Sequence, residues 1–242
     1  VSFRYEEGVK ALDDVSFDIK PNTVTALVGE SGGGKSTAAN LIARFWDVTE
    51  GSVTIGGVDV RDIYYSELMK NVSIVFQETN LFKMSVAENV AMYKPDASRE
   101  EIMRALKAAR CEDIIEKLPN GIDSVIGTNS VYLSGGEMQR ITLARAILKD
   151  APIVLLDEAT AFADAENEYL IQKALDVLLK GKTVLMIAHR LQTVVHADQI
   201  LVMQKGKIVE RGTHGELMDT DGIYARMFRE YERSVSWKIG GR

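Results

Sequence analysis

Hydrophobic and polar residues alternate along this chain with two different periods, and the change of period marks its elements. Thr23-Val-Thr-Ala-Leu-Val28, Val72-Ser-Ile-Val-Phe76, Ile153-Val-Leu-Leu-Asp157 and Thr183-Val-Leu-Met-Ile187 are short, largely apolar runs. Such runs predict strands covered on both faces. Val1-Ser-Phe-Arg-Tyr5 and the stretch from Ala11 to Ile19 alternate apolar and polar, as half-buried strands do. Pro21-Asn22 breaks the chain after them, and Gly51-Ser-Val-Thr-Ile-Gly-Gly57 reads as a strand running into a tight turn. Gln199 to Met203 and Ile208 to Glu210 flank Lys205-Gly206-Lys207 and predict a hairpin. Helical spacing governs Ser36–Arg44 and most of the stretch from Gln77 to about Leu148. Within that stretch, Arg99–Ala109 carries a stripe of Ile102, Ala105, Leu106 and Ala109, and Glu137–Lys149 one of Ile141, Ala144, Ile147 and Leu148. Ala165–Lys180 and Gly222–Arg233 are helical by the same test, and the Tyr224, Met227, Phe228, Tyr231 stripe of the latter reads as packing. Strands alternating with helices give an α/β core, interrupted near residues 78–148 by a helical insertion.

Composition narrows the class. Apolar residues are 46% and charged ones 26% of the 242, the balance of a globular protein. A formal charge of −6 argues against a nucleic-acid partner, which normally needs a basic face. The one cysteine, Cys111, excludes an internal disulfide framework and fits a reducing compartment. No run has the length of a membrane-spanning helix and no signal peptide is visible. The chain opens at Val1 already inside a predicted strand, which suggests a piece of a longer polypeptide.

Candidate chemistry starts at Gly29-Glu-Ser-Gly-Gly-Gly-Lys35-Ser36-Thr37, which fits G-x-x-x-x-G-K-[ST] between a buried strand and a helix. In that setting backbone N–H groups and a helix N-terminus converge on an anion. Gly32, Gly33 and Gly34 let the backbone wrap phosphates closely. Lys35 is placed for the β- and γ-phosphates and the Ser36 hydroxyl for Mg²⁺. Gly29, Ser31 and Thr37 complete a nucleoside triphosphate site. Asp157-Glu158 closes an apolar strand, the end at which α/β sheets bind ligands. Asp157 is the candidate Mg²⁺ ligand and Glu158 the candidate general base on the attacking water.

A second glycine element, Leu133-Ser134-Gly135-Gly136-Glu137, opens a helix. Ser134 can cap that helix, but two adjacent glycines exceed what a cap needs and leave N–H groups bare for an anion. Leu-Ser-Gly-Gly-Glu-Met-Gln-Arg140, between the phosphate loop and the strand ending Asp157-Glu158, resembles the signature motif of ABC transporter ATPases, and the likeness runs from Tyr5 to about Arg233. It implies a P-loop NTPase core of residues 1–77 and 149–242 with an N-terminal antiparallel β subdomain, and an inserted helical subdomain, 78–148, that carries the signature.

The resemblance also implies roles. Tyr5 matches an aromatic that stacks on adenine, and Gln77 a glutamine that senses Mg²⁺ and the attacking water. His189 matches a histidine on the γ-phosphate, and Asp164 the aspartate of a loop crossing to a partner subunit. His196 and His214 match nothing catalytic and are expected at the surface. The family pairs two such domains head to tail, so that Ser134, Gly135 and Gly136 act on the partner's ATP, in a homodimer or heterodimer. Hydrolysis then drives transmembrane domains absent from this chain, at the cytoplasmic face of a membrane. The start at Val1 and the run Ala188-His-Arg-Leu-Gln-Thr-Val resemble the exporter-type branch. Leu81-Phe-Lys, Thr160-Ala-Phe-Ala-Asp164 and Ser236-Trp-Lys238 resemble a bacterial subgroup associated with iron–siderophore traffic.

Two positions depart from the pattern. Thr128 stands where exporter-type members usually carry an acidic residue, which affects the expected coupling contact, and Phe162 replaces the commoner leucine of the crossing loop. Glu158 and His189 are both present, as a hydrolytic site requires. The alternative is a soluble ABC-type ATPase serving as a structural or DNA-maintenance machine. Such chains separate the two glycine elements by long coiled coils, and no sustained heptads lie between Gly29 and Leu133.

Overall fold

The computed structural model describes residues 1–6, 8–76, 80–127, 131–157, 165–188 and 190–240. In chain order the elements are β1 (Phe3–Arg4), β2 (Lys10–Leu12), β3 (Val24–Val28), α1 (Lys35–Ile42), β4 (Thr54–Ile55), β5 (Val58–Asp59) and α2 (Tyr65–Asn71). There follow β6 (Val72–Val75), α3 (Val86–Ala91), α4 (Arg99–Ala108), α5 (Glu112–Lys117), α6 (Gly135–Lys149), β7 (Ile153–Asp157) and α7 (Ala165–Leu179). The chain closes with β8 (Thr183–Ile187), β9 (Gln199–Gln204), β10 (Lys207–Gly212), α8 (His214–Asp219) and α9 (Ile223–Gly240). Contacts divide it into two compact units, 1–69 with 183–242, and 70–182.

In the first unit β3 is the central strand. It pairs in parallel with β8 on one side and β9 on the other, and β10 adds antiparallel to β9. Ala26, Leu27 and Val28 are fully buried, which explains why that half of the strand is apolar. Val28, Ile200, Val202, Leu217, Tyr224 and Phe228 join one core cluster with Leu191 and Val194. The expected antiparallel strands are present but shorter than the alternation predicted. The strands proper are Phe3–Arg4 and Lys10–Leu12, ended where Tyr5 N–H turns back onto the Val9 carbonyl at 3.1 Å and where Asp14 adopts φ 52°, although Val1 and Val15 still exchange backbone bonds at 2.8 and 2.9 Å beyond that kink. His196 is exposed as expected. His214 departs from expectation: it is half-buried, its Nδ1 2.9 Å from the Tyr224 hydroxyl and its ring against Phe228.

In the second unit β6 and β7 pair in parallel, and α3 to α6 lie between them in sequence. The hub is α6, which packs against α3, α4, α7 and β6. It carries buried arginines on the same helix as its apolar stripe. Arg140, 1% exposed, forks onto Asp113 at 2.7 and 2.9 Å and bonds the Arg110 carbonyl. Arg145 donates to the Asn89 carbonyl at 2.7 Å and to Asn89 Oδ1 at 3.1 Å. Asn89 in turn donates to the carbonyls of Phe82, Met84 and Ser85 and accepts from the Phe82 N–H. Cys111 is fully buried, which pushes its thiol up to about 12 and leaves it unreactive. No helix among the described residues is long and apolar enough to cross a membrane.

Two outcomes follow from these contacts. Asn89→Ala removes the acceptor of Arg145 Nη2 and of the Phe82 N–H, and denaturant unfolding is expected to show a loss of about 2–3 kcal/mol. Glu101 caps α4 and bonds Lys94, which together hold its carboxyl down at about 2, from 4.5 for an unperturbed group. A carboxylate depressed by folding stabilises the fold above its unfolded pKa, and that contribution is lost as pH falls through the folded value. Unfolding midpoints for the chain and Glu101→Gln are therefore expected to converge as pH drops from 4.5 toward 2.

Candidate functional site

The glycine loop is shaped by backbone packed directly behind it. A Cβ on Gly29 would lie 2.0 Å from the Met203 carbonyl oxygen, so β9 tolerates only glycine there. Gly34 has φ 101°, and a Cβ on it would sit 2.7 Å from the Ala11 carbonyl oxygen and from Leu12 Cδ2. The β9–β10 turn clamps the loop, since Gly206 N–H donates to the Gly33 carbonyl at 3.1 Å and Asp13 N–H to the Gly206 carbonyl at 2.8 Å. Gly29 and Gly33 thus form the back of the loop, and the cleft opens on its other side.

That cleft encloses about 380 Å³ and is lined by Tyr5, Val9, Lys10, Ala11, Ser31, Gly32, Gly34, Lys35, Ser36, Thr37, Lys205 and Gly206. The lining includes Lys10, Lys35 and Lys205 and no acidic residue, which suits a polyanion. Helix α1 starts against it with Gly34 as N-cap, no side-chain capping bond and no acid in its first turn. The positive dipole end of the helix thus meets the cleft without a capping side chain. Gly32 faces open space, so the loop leaves room where a bound group would sit. Lys35 is 5% exposed and its Nζ donates to the Gly29 and Glu30 carbonyls at 2.8 and 2.7 Å. The Tyr5 hydroxyl lies 3.1 Å from Thr37 Oγ1. Lys10 pairs with Asp13, whose carboxyl is held below the usual range by Lys10 and then by Lys207.

Tyr5, Ser31, Gly32, Gly34, Lys35, Ser36 and Thr37 therefore share one cleft. Sequence reasoning identified Lys205-Gly206 only as a turn and gave Val9–Ala11 no role. Nothing local ties Gly206 to Gly33, and their contact is visible only after β9 and β10 pair beside β3.

Apart from Gly29 and Gly33 at the back of the loop, the other candidates lie in the second unit or outside the described residues. Asp157 ends β7, half-buried. Ser134 caps α6 through a reciprocal box: its Oγ accepts from the Glu137 N–H at 3.3 Å, and its N–H donates to Glu137 Oε2 at 2.7 Å. Burial pushes the Glu137 carboxyl up, but Lys117 and Ser134 outweigh it and hold it low. The paired glycines have separate causes. A Cβ on Gly136 would meet Asn167 Cβ and Cγ of α7 at 2.7 Å, so Gly136 is required for packing, whereas Gly135 faces open space. Gln77, Glu158, Asp164 and His189, with Thr128 and Phe162, lie outside the described residues.

The profile of the ABC transporter family matches residues 12–161. The chain is 52% identical over 228 residues to the mycobactin import ATP-binding/permease protein IrtA of Mycobacterium tuberculosis, covering 94% of this chain and 26% of that protein. It is 48% identical over 225 residues to the ATP-dependent lipid A-core flippase of Legionella pneumophila, covering 93% of this chain and 38% of that one. Among solved structures, a bacterial Atm1-family ABC exporter with ATP bound matches with a TM-score of 0.88 and 38% identity, over 95% of this chain and 40% of that chain. The chain thus spans well under half the length of these relatives.

The two kinds of glycine separate in stability. Gly34→Ala meets backbone as well as a forbidden φ and is expected to cost about 2 kcal/mol or more, measured by thermal unfolding. Gly32→Ala meets open space at φ 75°, so only the conformational cost of about 1 kcal/mol is expected.

Proposed function

The chain belongs to the ABC transporter family, and on that premise we propose that its cleft binds ATP with Mg²⁺ and hydrolyses it in a head-to-tail dimer to move a substrate across a membrane. The observation that carries the reading is a lysine-lined cleft closed by a helix N-terminus that has neither a side-chain cap nor an acid. Lys35 and the N–H groups of the loop and of α1 hold the phosphates, and Tyr5 meets the adenine. Ser36, Asp157 and Gln77 are the oxygen donors for Mg²⁺, a set suited to a hard cation that neutralises phosphate charge when bound. Glu158 polarises the attacking water, Gln77 orients it, and His189 contacts the γ-phosphate.

Ser134, Gly135 and Gly136 close on the nucleotide of a second copy or of a related domain, with Asp164 in the crossing loop. Residues 78–148 act as the helical subdomain that presents them, and residues 1–77 with 149–242 as the nucleotide-binding core. The transmembrane domains lie outside this chain and recognise the cargo, while the chain works at their cytoplasmic face. Relatives named as permease proteins and flippases support a transporter and not a soluble DNA-maintenance machine. The 52% identity to a mycobactin import protein supports a siderophore-related subgroup.

ATPase rate against protein concentration tests the clamp. The wild-type rate is expected to rise faster than linearly, and Glu158→Gln to lose about a hundredfold or more in turnover while forming an ATP-dependent dimer. A linear rate with an active variant would sink the reading.

A further inference from the structure

Trp46 is 47% exposed just past the end of α1, so it adds little to the core, yet its ring is held among aromatic neighbours. It meets the Tyr5 ring at 5.9 Å between centroids and 84° between planes. Phe3 meets the same ring at 4.9 Å and 86°, and Phe3 and Trp46 are 6.4 Å apart. The Tyr5 hydroxyl lies 3.1 Å from Thr37 Oγ1 at the start of α1. Three contacts thus fix Tyr5, two perpendicular ring contacts and a hydrogen bond, and one short helix carries Thr37 at its start and Trp46 beyond its end. From these contacts we infer that Trp46 is a positioning residue for nucleotide recognition: with Phe3 it sets the plane of the Tyr5 ring before the base arrives. This rests on the assignment of Tyr5 to the adenine.

The physical reason is preorganisation. Perpendicular aromatic pairs are favourable, and a ring already fixed loses less freedom when a base stacks on it. The phosphate end of the ligand gains nothing from this, because Trp46 does not line the cleft among Lys35, Ser36 and Thr37. Loss of Trp46 should therefore weaken ligands that carry a base and spare those that do not.

Calorimetric titration of the chain with ATP and with inorganic triphosphate makes the test. Trp46→Ala is expected to raise the Kd for ATP about three- to tenfold and leave that for triphosphate unchanged, and Trp46→Phe to recover most of the loss. Trp46→Leu, which keeps apolar bulk without a ring, makes the same measurement if the alanine variant does not fold. Equal weakening of both ligands would reduce Trp46 to a structural residue and overturn the inference. So would an unchanged ATP affinity in Trp46→Ala beside a weakened one in Tyr5→Ala, with the proposed ATPase function left standing. An unchanged ATP affinity in Tyr5→Ala would instead remove the assignment of Tyr5 to the base, and the role of Trp46 with it.

Discussion

Backbone pressed against backbone is the constraint on which the site depends. The Met203 carbonyl behind Gly29 and the Ala11 carbonyl behind Gly34 leave no room for a Cβ at either position. Gly206 closes the arrangement by approaching the Ala11 carbonyl on one side and donating to the Gly33 carbonyl on the other. The glycine loop is therefore a layer laid over a β9–β10 turn and held by β2, with its curvature set by these backbone contacts. Preorganised N–H donors stabilise charge without reorganising when it appears, which is what a phosphoryl-transfer site requires.

The second unit meets a different constraint, the cost of buried polar groups. Helix α6 places Arg140 and Arg145 where water is excluded, and each is satisfied in its own way. Arg140 finds a carboxylate in fork geometry, while Arg145 finds neutral oxygens, the backbone and side-chain carbonyls of Asn89 and the Asn80 carbonyl. Burial accordingly pushes the Arg145 guanidinium below its ordinary value, whereas Asp113 raises that of Arg140 against the burial that lowers it. The segment before α3 is bound into this network through the Phe82 and Met84 contacts of Asn89. The helix that opens with Ser134 is thus stiffened along its length by polar groups that tie it to neighbouring elements.

How much of this was legible in the sequence depended on how far apart the interacting residues lie. The buried strands were readable because burial on both faces needs no partner to be named: Ile153–Asp157 and Thr183–Ile187 match residue for residue. The alternating N-terminal strands were overextended, since their ends are set by the Tyr5–Val9 turn and by the Asp14 kink. Capping boxes were readable in principle from Ser85-x-x-Glu88, Ser98-x-x-Glu101, Ser134-x-x-Glu137 and Thr213-x-x-Glu216, all of which form. Gly136 was not, because its cause is Asn167 on another helix; a pair of glycines that suggested bare N–H groups includes one that exists for packing. Lys205 and Gly206 escaped for the same reason.

The capping boxes also sharpen what is unusual about α1. Helix α9 borrows a cap from a distance, with the Glu210 carboxylate accepting from the Ile223 and Tyr224 N–H groups at 2.6 and 2.9 Å. Helix α5 has no side-chain cap, but Glu112 and Asp113 sit in its first turn. Among the α-helices whose N-caps are described, α1 alone has neither a side-chain cap nor an acid there. The described caps of α3, α4, α6 and α8 each supply an oxygen acceptor, and α1 has none. Glycine at the cap and lysine, serine and threonine in the first turn leave this helix end with no capping side chain and no carboxylate. On the proposed reading an anion supplies the acceptors that this terminus lacks, so phosphate affinity and the missing cap have one origin.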